Sequence, residues 1–300
     1  MKAWIDGEFV PLEQATVPIL SHGFSRGSAV FEVVDVVAGP DGPALFRIDR
    51  HVDRLLGSAE AMGMSLGRSA PELIDAARQT VRAAGVPAGV LKIFAFYAAP
   101  ELGLIPADPT VRVAMFCFDL RERYGVTVGG TFEPVTAGVS RRRRLSPGAF
   151  AIQAKVAGHY VNAFLAVREA RQRGFDEAIM LDEAGMVAEA ALSNLFVVIE
   201  GVARTPTLAN SLSGVTRDSL LQAGRAAGLP VEEAPVPAAD LARAEEAFLT
   251  GTVIRIRPLC ALDGRELTPC PGPLTRRLQQ ALNDAYDGRN PAFRHWLTDV

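Results

Sequence analysis

A chain of 300 residues, about half of them hydrophobic, has material for one large core or two moderate ones, and the length favours roughly two domains. Its 31 Lys+Arg against 34 Asp+Glu leave a formal charge of −3, which excludes the basic footprint of a nucleic-acid binder and makes a small molecule the expected partner. Three cysteines without a CxxC pair and four histidines offer neither a disulfide framework nor a zinc site, no apolar leader core opens the chain, and no run approaches the roughly eighteen apolar residues of a membrane span, so a soluble protein of the reducing cytoplasm is expected.

In chain order, the β-branched run Phe31–Val37 leads through the turn former Gly39-Pro40-Asp41-Gly42 into Ala44–Ile48, which predicts a hairpin. Asp49 precedes a helical pattern with Val52, Leu55, Leu56 and Ala59 on one face, ending near Gly63, and a second helix is predicted from Pro71 to Gly85. Val90–Ala98 and Val111–Leu120 read as strands. Hairpins mixed with helices, rather than alternating βαβ units, give an α+β class. The expected organisation is a first lobe over 1–120, a connection over 121–133 and a second lobe over 134–300, with the charged stretch Asp119–Gly125 as the crossing between the lobes.

The second lobe opens with strand-like sequence to Val139, then a basic run Arg141–Arg144, expected as salt-bridged surface or as a charged rim. After Lys155 a helix is predicted on the spacing of Val161, Phe164, Leu165 and Arg168, with Gly174 as its left-handed cap. Glu177–Leu181, Met186–Ala190 and Asn194–Ile199 read as strands, Val215–Gly228 as a helix, and Pro230–Pro237 as a loop.

Four segments are candidates for one anion-binding site. Lys155 stands in almost uncharged surroundings, Ala-Ile-Gln-Ala-Lys-Val-Ala-Gly, where desolvation favours the neutral amine of a nucleophile, although the segment alone fits an exposed lysine better, since most lysines are solvated. Ser213-Gly214-Val215-Thr216 opens a helix whose unpaired amides and Thr216 hydroxyl suit a phosphate, or form an ordinary cap. Thr250-Gly251-Thr252 follows a strand-like stretch and permits close backbone approach, or is a plain turn. Glu189 lies inside the apolar Met-Val-Ala-Glu-Ala-Ala-Leu, where a carboxylate is costly unless paired; edge exposure is the alternative.

Taken together, Lys155-Val-Ala-Gly-His-Tyr-Val-Asn162, Asp176-Glu-Ala-Ile-Met-Leu-Asp182, Val187-Ala-Glu189, Asn194-Leu-Phe196 and Gly214-Val-Thr-Arg-Asp218 resemble the class IV aminotransferases of fold type IV, over nearly the whole chain. The resemblance implies a two-domain α+β enzyme, with a small N-terminal lobe and a larger C-terminal lobe built on a β-barrel-like core. It implies pyridoxal 5′-phosphate as cofactor, carried as an imine on the catalytic Lys155. Glu189 would then face the pyridine nitrogen, and Tyr160 would bond the phenolic oxygen. Arg54, Val215, Thr216 and Thr252 would bind the phosphate. It also implies a homodimer or higher homo-oligomer, with Arg26 or the Leu102–Pro109 loop crossing into the partner.

Departures fall on the substrate side, for which Arg26, Phe31, Lys92 and Val253 are the expected residues. Arg26 stands where branched-chain enzymes commonly carry an aromatic, and Lys92 where they use an arginine for a distal carboxylate; lysine lacks the planar fork. Ala190-Ala-Leu-Ser-Asn194 is nearer to D-amino-acid transaminases. The expected reaction moves an amino group between an amino acid, a branched-chain L-amino acid first, and a 2-oxo acid such as 2-oxoglutarate. D-amino-acid transamination, an aminodeoxychorismate lyase and an idle cofactor-binding paralogue are the alternatives.

Overall fold

The computed structural model describes residues 1–121 and 132–300, and these group into two units. The first holds the residues up to Arg121 together with Ala154–His159 and Tyr286–Val300; the second holds Phe132 to Gln153 and Tyr160–Ala285. Most of the expected connection over 121–133 lies outside the described residues.

The first unit is a seven-stranded sheet in the order β16-β4-β3-β5-β6-β1-β2: β1 is Lys2–Ile5, β2 Glu8–Pro11, β3 Val30–Gly39, β4 Gly42–Phe46, β5 Gly89–Tyr97, β6 Val111–Phe118 and β16 Leu297–Asp299. The expected hairpin is β3–β4, closed with Gly39 opposite Gly42. A short helix, α1 (His22–Ser25), precedes it, while α2 (Ile48–Ala61) and α3 (Ala70–Ala84) follow. Helix α3 starts with a capping box between Ser69 and Glu72 and stops at Gly85 in the left-handed conformation.

Strict alternation along β5 decides what this sheet presents. Leu91, Ile93 and Ala95 are buried and join one core with Val52 and Leu55 of α2 and Leu73 and Ala77 of α3. Burying each such leucine or isoleucine stabilises the unit by roughly 2 kcal/mol. Lys92 and Phe94 point to the opposite face, where the rings of Phe31, Phe94, Phe116 and Phe118 form a row with centroids 5.9 to 6.2 Å apart.

The second unit is a nine-stranded sheet curled as a half-barrel, which bears out the α+β, barrel-like expectation. Its order is β12-β11-β10-β13-β14-β7-β8-β9, with β15 against β14. The strands are β7 Val135–Arg143, β8 Glu177–Leu181, β9 Val187–Ala190, β10 Asn194–Ile199, β11 Val202–Thr205, β12 Val231–Glu233, β13 Glu246–Gly251, β14 Arg255–Leu262 and β15 Arg265–Glu266. Register shifts between β7 and β8 and between β8 and β9 mark bulges, which bend a sheet locally. Helices α4 (Tyr160–Gln172), α5 (Val215–Ala226) and α6 (Pro273–Tyr286) complete the set among the described residues.

Two expectations need correction. Val231–Glu233, inside the expected loop, pairs in parallel with β11, because three extended residues suffice to cover a sheet edge. On α4 the stripe of Val161, Phe164 and Arg168 is exposed. The buried face is Ala163, Ala166 and Ala170, whose small side chains let the helix lie close on Ala178 and Met180 of β8.

Candidate active site

In the first unit, Lys155 is fixed by its backbone. Its N–H donates to Ser58 Oγ of α2 at 3.0 Å, and its carbonyl accepts from Phe31 N of β3 at 3.1 Å. Ala157 N donates to Ala29 O, and Gly158 N to Gly27 O, each at 2.8 Å. The Lys155 segment, expected in the second lobe, is thereby laced along the start of β3. The approach requires glycine: Gly27 has φ +69°, and a β-carbon there would sit 3.0 Å from Gly158 Cα. With its backbone held, Lys155 carries its ammonium nitrogen 5.1 Å from the Phe31 ring centroid.

The same face holds Lys92, whose Nζ lies 5.5 Å from the Phe31 centroid and 4.9 Å from that of Phe94. Half-burial, and then the charge of Lys155, push the Lys92 ammonium below the usual lysine range.

Arg54 stands on α2 one turn before Ser58. It donates from Nε to Glu32 Oε1 at 2.6 Å and from a terminal nitrogen to Oε2 at 2.8 Å. His51 Nδ1 lies 2.8 Å from the same Oε2, so it donates the proton of that bond. Glu32 is fully buried next to Phe31 on β3. Burial alone would raise its carboxyl, but the Arg54 charge and the bonds from Arg54 and His51 hold it well below the carboxylate range. Burial dominates His51 and lowers it.

In the second unit, the bulged β8–β9 hairpin turns Glu189 inward at 6% exposure, which excludes the edge-exposed alternative. Arg144 donates from Nε to its Oε1 at 2.5 Å; Asn194 Nδ2 and Leu212 N donate to Oε2 at 3.3 and 3.2 Å. A cation on one oxygen and two amide donors on the other fix the orientation of this carboxylate. Asn194 also donates to Leu212 O at 3.0 Å, tying Glu189 to the loop before α5. Gln153 grips that loop from the other side, donating to Leu208 O and Ser211 O and accepting from Ser213 N.

Gly214 is the N-cap of α5 and brings no side-chain cap, so Val215 and the buried Thr216 begin a twelve-residue helix whose first amides face outward along its axis. A β-carbon on Gly214 would collide with Asn194 Oδ1, so only glycine allows this packing. One strand over, Thr250 pairs with Asn194 across β13 and β10 and buries its hydroxyl without a hydrogen-bond partner among the described residues. An uncapped helix start and an orphaned hydroxyl are a donor set that suits a phosphate.

The remaining expected residues are placed as follows. Tyr160 begins α4, and Thr252 and Val253 are half-buried on the turn between β13 and β14. Arg26 follows α1 and is exposed, donating to Ser25 O and Leu102 O. The first unit therefore brings Lys155 Nζ and Lys92 Nζ to 5.1 and 5.5 Å from the Phe31 ring centroid, with Arg54 bonded to the adjacent Glu32; the second joins Glu189 to the loop before the Val215–Thr216 helix start through Asn194. Sequence reasoning missed the Glu32–His51 support of Arg54, the Asn194 link and the orphaned Thr250. It named Arg144 only as part of a basic run, where the signal was a run ending at a strand terminus; Arg141–Arg143 are exposed.

Comparison with known proteins agrees with this geometry. Residues 29–262 match the family model for amino-transferase class IV. The branched-chain-amino-acid aminotransferase of Pseudomonas aeruginosa is 33% identical, over 99% of this chain and 96% of the relative. Among solved structures, the Escherichia coli branched-chain amino acid aminotransferase superposes with a TM-score of 0.93 at 31% identity, covering 99% of this chain and 98% of its own. The branched-chain amino acid aminotransferase of Thermobaculum terrenum, solved in its PLP form, gives 0.90 at 28% identity, covering 99% of this chain and 97% of its own. A lysine anchored on the first sheet, a caged glutamate and an uncapped helix start thus sit on a full-length match in sequence and fold: the chain belongs to the class IV aminotransferases and is a pyridoxal-phosphate-dependent transaminase.

Proposed function

We propose that the enzyme moves an amino group between a branched-chain L-amino acid and a 2-oxo acid such as 2-oxoglutarate, with Lys155 as its catalytic residue. The observation that carries this is the aromatic wall beside the amine: Phe31 lies under Lys155 Nζ, and Phe94 continues it at 5.9 Å, a surface suited to an aliphatic side chain. The names of the relatives point the same way.

When bound, pyridoxal phosphate supplies an aldehyde that takes up the amino group and a ring that accepts the electrons released at the substrate Cα. Lys155 Nζ would hold the cofactor and would take the substrate Cα proton and pass it on. Glu189, oriented by Arg144 and Asn194, holds a proton on the ring nitrogen. Tyr160 bonds the phenolic oxygen. The Val215 and Thr216 amides, Thr252 and Arg54 bind the phosphate; Arg54 is held ready by Glu32. Phe31 and Val253 pack on the substrate side chain, and Arg26 and Lys92 bind carboxylates.

A second reading, D-amino-acid transamination, is favoured by Arg26, whose guanidinium can pair with a substrate carboxylate, and by Ser193 before Asn194. A half-reaction screen separates the two. Single L- and D-amino acids are added to the cofactor-loaded protein and loss of its visible band is followed. Bleaching by L-leucine and not D-alanine supports the first reading; the reverse overturns it.

We also infer a homodimer at least. Ile19, Leu20, Phe24, Leu102, Leu104 and Ile105 are large, apolar and exposed on the first unit. Glu101 N donates to Leu20 O, and His22 Nε2 donates to Leu104 O, so these two segments form one surface. Glu101 also accepts from the amides of Leu102, Gly103 and Ala107, which makes the loop rigid enough to reach a partner. A cytoplasmic location is supported by the free cysteines; no helix among the described residues is long and apolar enough to cross a membrane.

A further inference from the structure

We propose that Gln153 is a positioning residue: its carboxamide holds the loop before α5 in one extended form, and so keeps Glu189 and the Val215–Thr216 helix start at a fixed spacing for the two ends of the cofactor. This rests on the reading of Glu189 and that helix start as cofactor-binding groups and names what keeps them in step.

From Pro206 to Ser213 the chain belongs to no helix or strand, so its backbone polar groups need partners from elsewhere. At Leu212 they come from one side. Its N–H donates to Glu189 Oε2 at 3.2 Å, and its carbonyl accepts from Asn194 Nδ2 at 3.0 Å. The flanking groups go to Gln153: Ser211 O accepts from Nε2 at 2.7 Å, and Ser213 N donates to Oε1 at 3.2 Å. In an extended chain the N–H and carbonyl of one residue point to one side, and the preceding carbonyl and following N–H point to the other. Gln153 therefore stands where one neighbouring strand would, and Glu189 with Asn194 where the opposite neighbour would.

The same Nε2 also donates to Leu208 O at 2.6 Å, which gathers the earlier part of the loop under one amide. Asn210 is tied separately, donating to Asp182 Oδ2 at 2.6 Å. The arrangement uses both halves of a carboxamide, a nitrogen that gives two protons and an oxygen that takes one. A carboxylate only accepts and an ammonium only donates, so neither replaces it.

The consequence follows from chain order. Only Ser213 and Gly214 separate Leu212, which bonds Glu189, from Val215, the first residue of α5. Gly214 lies so close to Asn194 that a β-carbon would meet its Oδ1, which blocks movement toward that side. Gln153 opposes movement the other way. Without it the stretch is bonded on one face only, and the first turn of α5 can drift from Glu189 while the unit stays folded.

The test begins with the full chain without cofactor, in which hydrogen exchange read by mass spectrometry is compared among the native protein, Gln153→Ala and Gln153→Glu. Gln153 is exposed and joins no core, so both variants should melt like the native protein, and should one fail to fold the other decides. Exchange in the peptide covering 207–216 is expected to quicken about tenfold in both, with the rest of the second unit unmoved. In the loaded protein both should bind pyridoxal phosphate about tenfold more weakly, the weight of one neutral hydrogen bond, and move the phosphorus resonance of the bound phosphate toward its free position. The KM for the amino donor at saturating cofactor should stay native. Native exchange over 207–216, or exchange raised equally throughout the second unit, would overturn the proposal. So would faster exchange with native cofactor affinity and a native phosphorus resonance. Native affinity in both Glu189→Gln and Val215→Pro would instead overturn the reading of the cofactor site, while exchange over 207–216 would still decide whether Gln153 holds the loop.

Discussion

Arg144 donates from Nε to Glu189 Oε1 at 2.5 Å, with 11% and 8% of the two side chains exposed. Removing one partner of such a pair leaves a buried charge uncompensated, which typically costs about 3 kcal/mol. Arg144→Met is expected to lower stability by about that amount and to loosen the cofactor about tenfold or more, since outer partners of a site commonly carry that weight. Chemical denaturation and cofactor dissociation both measure it. Unchanged values would mean that Glu189 is held in place without Arg144.

Acid should weaken the first unit in two overlapping stages. His51 lies below its ordinary value of 6.5 in the folded protein, and Glu32 below its ordinary 4.5. In each case the unfolded chain binds protons that the folded chain refuses, so the contribution is present above the ordinary value and is lost as pH falls toward the lowered one. Melting temperature is therefore expected to fall below about pH 6.5, and more steeply below about pH 4.5. His51→Gln keeps an amide donor for Glu32 and should flatten the upper stage only; a native profile in that variant would assign the upper stage elsewhere.

The start of α5 can be tested without unfolding it. Val215 is the first residue of the helix, where proline is tolerated, and Gly214 before it is extended at ψ 128°, as a residue preceding proline must be. Val215→Pro should melt like the native protein yet bind cofactor about tenfold more weakly, because one of the amides proposed to bind the phosphate is gone. Gly214→Ala should fail differently, losing stability because its β-carbon meets Asn194 Oδ1. Equal cofactor affinity in Val215→Pro would remove that amide from the phosphate site.

Leu104 and Ile105 are 76% and 81% exposed on the loop that His22 and Glu101 organise. The double substitution Leu104→Glu with Ile105→Glu touches no core, so the melting temperature of the isolated chain should change little. Sedimentation should show a shift from dimer to monomer at micromolar concentration. An unaltered dimer would place the interface on another surface, the exposed Val161 and Phe164 of α4 being the next to substitute.

Features with a local cause were legible in the sequence. The β3–β4 hairpin follows from its turn residues, α3 from Pro71 and Gly85, and the end of α4 from Gly174, which has φ 88°. Glu189 stood out because a carboxylate amid alanine and valine needs a reason. What was hidden depends on long-range pairing. Nothing near Lys155 in sequence says that its neighbours hydrogen-bond to Gly27, Ala29 and Phe31, more than a hundred residues earlier. Nothing near Arg54 announces Glu32, and a stripe of Val161 and Phe164 at helical spacing looks like a core face until alanines on the other side are seen to pack. The substrate residues were the least legible, since Arg26 and Lys92 take their meaning from what they approach.

The central claim is that Lys155 carries the cofactor. Reduction of the loaded enzyme with borohydride, followed by digestion and mass mapping, tests it most directly. The phosphopyridoxyl group is predicted on the peptide containing Lys155, and Lys155→Ala should stay colourless when cofactor is added. Modification of any other lysine, or a yellow Lys155→Ala protein that still transaminates, would contradict the account.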